Sequence, residues 1–231
     1  MQNNVINNIQ ANIIRELFHH EELRFAEINV DKVPSDQFSY HIRQLLKYGF
    51  IEKTDKGTYC LSTFGKSRAI MIDPDGNSYI QQGFIAVRIV LKKVEDVQTY
   101  YLLQRREEVP YKGTIGTPGD KVFFGEDVVT AAKRIMKLHT GLECDMDIKG
   151  LVHIRDKFGI NFVQDKYFFI IEASQPKGEL FPRSIKGEHM WLTYDELESS
   201  GHSAPLGLDI LNMAAQNTFK YQEAVYIANK Y

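Results

Sequence analysis

The chain has 231 residues, 43% hydrophobic and 12% aromatic, which supplies apolar material for buried cores and excludes a disordered tail protein. Its formal charge of −2, from 28 basic and 30 acidic residues, gives no global field for nucleic acid or anionic lipid, so any DNA contact must be local. Two cysteines, Cys60 and Cys144, lie far apart with no CxxC or Cys/His cluster, which argues against a disulfide scaffold or a zinc site and fits a reducing compartment. The opening MQNNVINNIQ carries neither a basic nor an apolar leader segment. The longest apolar strings, FIAVRIVL and YFFII, have strand length, so a soluble cytoplasmic protein without membrane contact is the expectation.

In chain order, Val5, Ile9, Ile13 and Leu17 recur at helical spacing, and a short helix is expected around 24–29. Phe38, Ile42, Leu45 and Leu46 mark a third helix over 35–48, opening after Pro34-Ser35. GFIEKTDKGTYCLSTFGK then reads as a hairpin: Phe50 to Thr54 and Thr58 to Leu61 supply the strands, Asp55-Lys56-Gly57 the turn, and Ser62-Thr63 opens a closing helix. With the four apolar residues of the third helix inward, Gln37, Ser39, Tyr40, His41, Arg43, Gln44 and Lys47 are left on its outer faces. Lys53 and Lys56 sit on the hairpin. Residues 37–70 carry a surplus of four basic residues, whereas residues 1–70 together hold nine basic against eight acidic. This order of elements resembles a winged helix-turn-helix, similar to small bacterial and archaeal transcription regulators, with SYHIRQLLKYGFIEK as recognition helix running into the wing. The resemblance implies DNA contact through those nine side chains; a solvated face used for dimerisation or docking is the alternative.

The texture changes at IDPDGNSYIQQG, where Pro74, Gly76 and Gly83 stand among polar residues. A linker over 73–83 is expected to separate a domain at 1–72 from a second at 84–231. Residues 84–106 read as a hairpin, FIAVRIVLKK and TYYLLQRR flanking VEDV, and 148–173 supply further strands. A helix over about 126–140 interrupts them, and a C-terminal helix is expected near 206–229.

Within TPGDKVFFGEDVVTAAKRIMKLHTGL the second domain resembles the Nudix family, whose box reads G-x5-E-x7-R-E-U-x-E-E-x-G-U after Pro-Gly. Pro118-Gly119, Gly125-Glu126, Arg134, Gly141 and Leu142 fall in register, with Asp120 at the first glycine of the box. LLQRR and EHMWLTYDEL resemble flanking family segments. The resemblance implies an α/β/α sandwich around a mixed sheet. It also implies divalent metals held by three helix glutamates at i, i+3 and i+4, whose oxygens suit the hard magnesium ion. Those positions are here Ile135, Leu138 and His139, none a carboxylate. The carboxylates left nearby are Asp120, Glu126, Asp127 and Glu143; Glu126 fits a structural pairing with Arg134, and His139 a polar side chain near the helix end. Val128, Ala131, Ile135, Leu138 and Leu142 make an apolar stripe, expected to be covered by a loop, the first domain or a second subunit.

Arg88, Gln104, Arg105 and Arg106 lie on or just after the predicted hairpin, where the Nudix fold places groups near a phosphorylated ligand and arginine forks match phosphate oxygens. Tyr111, Phe123, Phe124, Phe158 and Trp191 are candidates for base stacking, with the core as the alternative. The two resemblances together imply a two-domain α+β protein. The reading they support is a non-hydrolysing receptor for a nucleotide- or sugar-phosphate-like metabolite that regulates transcription as a DNA-bound homodimer without a cofactor. A pyrophosphohydrolase with a remodelled site, using Glu126, Asp120, Asp127 and His139 with magnesium or manganese, stands as the alternative, and a protein-interaction module as the third.

Overall fold

Helical spacing in the first third of the chain is realised as three helices, α1 (Asn8–Phe18), α2 (Phe25–Ile28) and α3 (Ser35–Lys47). The computed structural model describes residues 7–72 and 82–227, so Val5 and residues 73–81 of the expected linker lie outside the described residues. A capping box opens α1: the Asn7 side chain accepts the Gln10 N–H at 3.0 Å, and the Gln10 side chain accepts the Asn7 N–H at 3.2 Å. β1 (Ile51–Lys53) and β2 (Tyr59–Leu61) pair antiparallel, and α4 (Thr63–Ala69) closes the unit with the Ser62 hydroxyl accepting the Gly65 N–H at 2.9 Å. Ile13, Ile14, Leu17, Phe38, Ile42 and Leu45 meet in a core of their own.

The chain divides into two units, Met1–Gln81 and Gln82–Tyr231. The second contains β3 (Phe84–Glu95), β4 (Gln98–Arg106), β5 (Ile115–Gly116), β6 (Gly119–Lys121), α5 (Val128–Thr140), β7 (Glu143–Phe158) and β8 (Asn161–Lys177). It continues with β9 (Arg183–Ser184), β10 (Gly187–Thr193), α6 (Tyr194–Ser199), α7 (Gly207–Ala214) and β11 (Lys220–Ile227). The strands form one mixed sheet in the order β11-β7-β8-β3-β4-β10-β9; β3 runs parallel to β8 and β11 parallel to β7, while β5 and β6 pair with β4 and β3. Strand alternation explains the layering. Val87, Ile89 and Leu91 of β3 pack with α5, whereas Ala86 and Val90, one residue out of phase, belong to the core that holds Leu197 of α6 and Ile210 of α7.

One predicted element is corrected. The C-terminal helix expected over 206–229 is only α7, Gly207–Ala214; the chain turns through polar Gln216-Asn217-Thr218 and returns as β11, with Ala224 opposite Ile154 of β7. An apolar run this short serves a helix or a strand, and pairing with β7 decides for the strand. No helix among the described residues is long and apolar enough to cross a membrane.

Gly65 in α4 sits against the strand below it: a Cβ there would lie 1.8 Å from the Phe50 carbonyl oxygen. Gly65→Ala is therefore expected to cost the first unit about 2 kcal/mol or more. Urea titration of the variant should show that loss, and unchanged stability would contradict the packing described.

Candidate functional site

Parity along the strands delivers charge to one end of the sheet. On β8, Lys166 stands in phase with Phe168 and Ile170, and on β7 Asp156 stands in phase with Val152 and Ile154, so both point to the α7 side of the sheet. Asp156 is wholly buried and Lys166 nearly so; the Lys166 ammonium and the Tyr111 hydroxyl both donate to Asp156 Oδ2, while Oδ1 has no partner. Arg88 of β3 lies over the Phe168 ring at 4.7 Å and donates to the Thr117 carbonyl at 3.3 Å. Arg106, at the end of β4, donates to the carbonyls of Glu108 and Pro110 at 3.0 and 2.8 Å. Lys186 reaches Glu108 at 3.0 Å and Asp120 at 3.3 Å.

These groups line two adjoining spaces, an outer cleft of about 390 Å³ and an inner recess of about 50 Å³. Arg88, Arg106, Lys121, Lys166 and Lys186 line the outer cleft against Glu108 and Asp120 alone, so its walls carry a surplus of positive charge. Burial, with Arg106 nearby, pushes the Arg88 guanidinium down to about 10. Lys166 is likewise lowered by burial and by Arg88 and Arg106, against the opposing pull of Asp156. Both shifts mark cations crowded in a poorly solvated place, which an anion would relieve.

The helix that should carry metal ligands is built differently. Ile135 of α5 is fully buried in the core with Val87 and Ile89, Leu138 is 63% exposed, and His139 is buried with its Nε2 3.2 Å from Asp120 Oδ2. The expected cover is corrected for Ile135, which the domain's own sheet takes, while helical rotation turns Leu138 off that face. His139 stands in the last turn of α5 as a polar side chain, buried rather than exposed. Its bond holds the Asp120 carboxyl far below the usual range, aided by the Lys121 N–H and Lys186. Both oxygens of Glu126 accept from Arg134 at 2.7 Å, Asp127 caps α5 by accepting the Thr130 N–H at 2.9 Å, and Glu143 pairs with Lys137 at 2.9 Å. Gly125 and Gly141 take positive φ of 80° at the turns flanking the helix, Gly141 being the glycine of the box pattern. Every nearby carboxylate is committed. Among the described residues no three His, Cys, Asp or Glu side chains cluster as metal ligands, and the set present does not fit an octahedral magnesium shell.

Of the four ligand-binding candidates, Arg88, Gln104 and Arg106 line the cleft and recess, whereas Arg105 does not. Alternation along β4 sends Arg105 to the opposite face. Of the five aromatic candidates only Tyr111 lines the site. Phe123, Phe124 and Phe158 are exposed elsewhere, and Trp191 lies beneath Lys93 at 4.7 Å. Lys166, Asp156, Thr117 and Lys186 were not singled out from the sequence. The signal for the first two was present, a charged residue on the inward parity of an apolar strand; Thr117 and Lys186 lie in short loops that carry no such signal.

In the first unit, Gln37, Tyr40, Arg43 and Lys47 are exposed along α3, and Ser39 and Gln44 are half-buried. His41 is corrected from an outer-face residue to a buried one: its Nδ1 lies 3.4 Å from Asn7 Nδ2, and burial lowers its pKa. On the hairpin Lys53 is exposed, and Lys56 is tied to Glu22 at 3.0 Å, which leaves less of its charge for an external phosphate.

Comparison with known proteins places this geometry. The NUDIX domain model matches residues 84–208. The mMutator MutT protein from Bacillus halodurans is 20% identical, covering 63% of this chain and 92% of its own, with a TM-score of 0.51; this likeness shows the fold. The NUDIX domain of Shewanella oneidensis NrtR, solved with ADP ribose, is 16% identical over 62% of this chain and 90% of its own, with a TM-score of 0.48. No curated protein sequence matches the chain.

Because Ile135 is core and Leu138 is surface, restoring carboxylates has unequal consequences. Ile135→Glu is expected to cost roughly 4 kcal/mol or more by burying an unpaired charge, and Leu138→Glu within about 0.5 kcal/mol. Thermal unfolding of the two variants checks this, and equal effects would contradict the burial pattern.

Proposed function

The chain belongs to the NUDIX family, and from that premise we propose that its NUDIX domain is a non-hydrolysing receptor for a phosphorylated metabolite. The observation that carries this reading is the exchange of charge around α5. Metal-ligand positions are filled by Ile135, Leu138 and His139, while Arg88, Arg106, Lys166 and Lys186 converge on the adjoining cleft. In an active hydrolase divalent ions offset the phosphate charge; here side-chain cations stand ready for that work. Hydrolysis also needs an activated water, and Asp120, Glu126 and Asp127 are each engaged by a protein donor.

The first unit, in this reading, is a winged helix-turn-helix and the chain a transcription regulator, acting as a homodimer so that two recognition helices meet a two-fold site. Support comes from its helix–hairpin order and from Gln37, Tyr40, Arg43 and Lys47 lying exposed on one helix. Ligand binding then controls DNA affinity to the extent that the ligand prefers one arrangement of the protein.

Purified protein supplied with magnesium or manganese should release no phosphate from nucleoside triphosphates, dinucleotides or sugar nucleotides above a protein-free blank. Metal-dependent turnover that disappears in Glu126→Gln would overturn this reading in favour of a hydrolase. On its DNA site, Arg43→Ala is expected to weaken binding about tenfold and lower the salt dependence, with the circular dichroism spectrum unchanged. Undiminished affinity would remove α3 as the recognition helix.

A further inference from the structure

The site also discriminates among phosphorylated compounds, a point that rests on the receptor reading above. We propose that the ligand is a phosphorylated sugar and that a nucleotide is rejected. Two observations carry this. The first is that each aromatic ring lining the site already has a cation over it. Phe168 is 8% exposed and lies under Arg88 at 4.7 Å and Lys166 at 6.0 Å; Tyr111 has Lys166 over its ring at 5.2 Å and the Tyr226 ring edge-on at 5.4 Å; Phe84 carries Lys121 at 5.1 Å. A base stacking on a face so covered would have to displace that cation.

The second observation is the inner recess. Its 50 Å³, against about 390 Å³ for the outer cleft, makes it the tighter of the two spaces and favours a small polar group over a bulky base. Its polar lining suits hydroxyls: Thr117 is 5% exposed with an Oγ1 that has no partner, and Gln104, 8% exposed, has only a 3.5 Å contact to Ser184. Thr114 and the start of α7, which no side chain caps, complete the wall. A buried hydroxyl without a partner is costly unless a ligand supplies one. The phosphate sits among Arg88, Arg106, Lys166 and Lys186, the cations shared by both spaces, and the far end of the sugar enters the recess, where Thr117 and Gln104 exchange hydrogen bonds with its hydroxyls.

Ribose 5-phosphate and AMP isolate the point, because AMP is the same sugar phosphate with adenine on the anomeric carbon that would enter the recess. Isothermal titration of the full chain with ribose 5-phosphate, glucose 6-phosphate, AMP and inorganic pyrophosphate is the experiment. At least one sugar phosphate should bind about tenfold or more tighter than AMP. Thr117→Val should weaken that sugar phosphate about threefold to tenfold, the loss of one neutral hydrogen bond, and leave pyrophosphate unchanged. AMP binding as tightly as the sugar phosphates, or Thr117→Val without effect on them, would overturn the proposal. If pyrophosphate binds and neither sugar phosphate does, the sugar assignment alone fails; if nothing binds, the receptor reading falls with it.

Discussion

Five cations held around one poorly solvated cleft repel each other, and the second unit is organised by how that repulsion is contained. Asp156, wholly buried beneath Lys166, and Asp120, fixed between His139 and Lys186, supply counter-charge from below and from the side. Glu108 adds a third anion at the rim. Together they do not neutralise Arg88, Arg106, Lys121, Lys166 and Lys186, so the protein folds with positive charge left over at the cleft. An anion bound there meets an arrangement already paid for in folding, the condition under which affinity is gained without reorganisation.

The same constraint explains α5. A helix bearing glutamates where Ile135, Leu138 and His139 stand would bring anions toward Asp120 and need metal ions to separate them. With Ile135 in the core and His139 bonded to Asp120, the helix is held by packing and one polar contact. The Glu126–Arg134 pair keeps the loop before α5 in place, so the outline of the box survives as structure after its ligand positions have changed.

Much of this was legible in the sequence, and unevenly so. The helices of the first unit, the long hairpin of β3 and β4, and α5 follow from apolar period and turn residues. The box pattern sets Arg134 against Glu126, and the two are paired at 2.7 Å. Arg88, Gln104 and Arg106 were found from their position on strands, but Arg105 was included because neighbourhood in sequence hides the alternation that separates it from them. His41 was misplaced because a helix face read from four apolar residues leaves the boundary positions ambiguous, and burial of an imidazole depends on α1, a partner distant in sequence. Lys186 and Asp120 meet only through the fold, so no local pattern announces them. The β11 strand was read as helix since its partner, β7, lies some seventy residues earlier.

The proposed receptor binds phosphate through side-chain cations and without a divalent metal. This is tested most directly by titrating inorganic pyrophosphate into the protein in excess EDTA and again in excess magnesium, with Lys166→Ala beside the wild type. The account predicts binding in EDTA, no tightening by magnesium, which would compete for the phosphate, and marked weakening in the variant. Binding that requires magnesium, or binding in EDTA that Lys166→Ala leaves untouched, would contradict it.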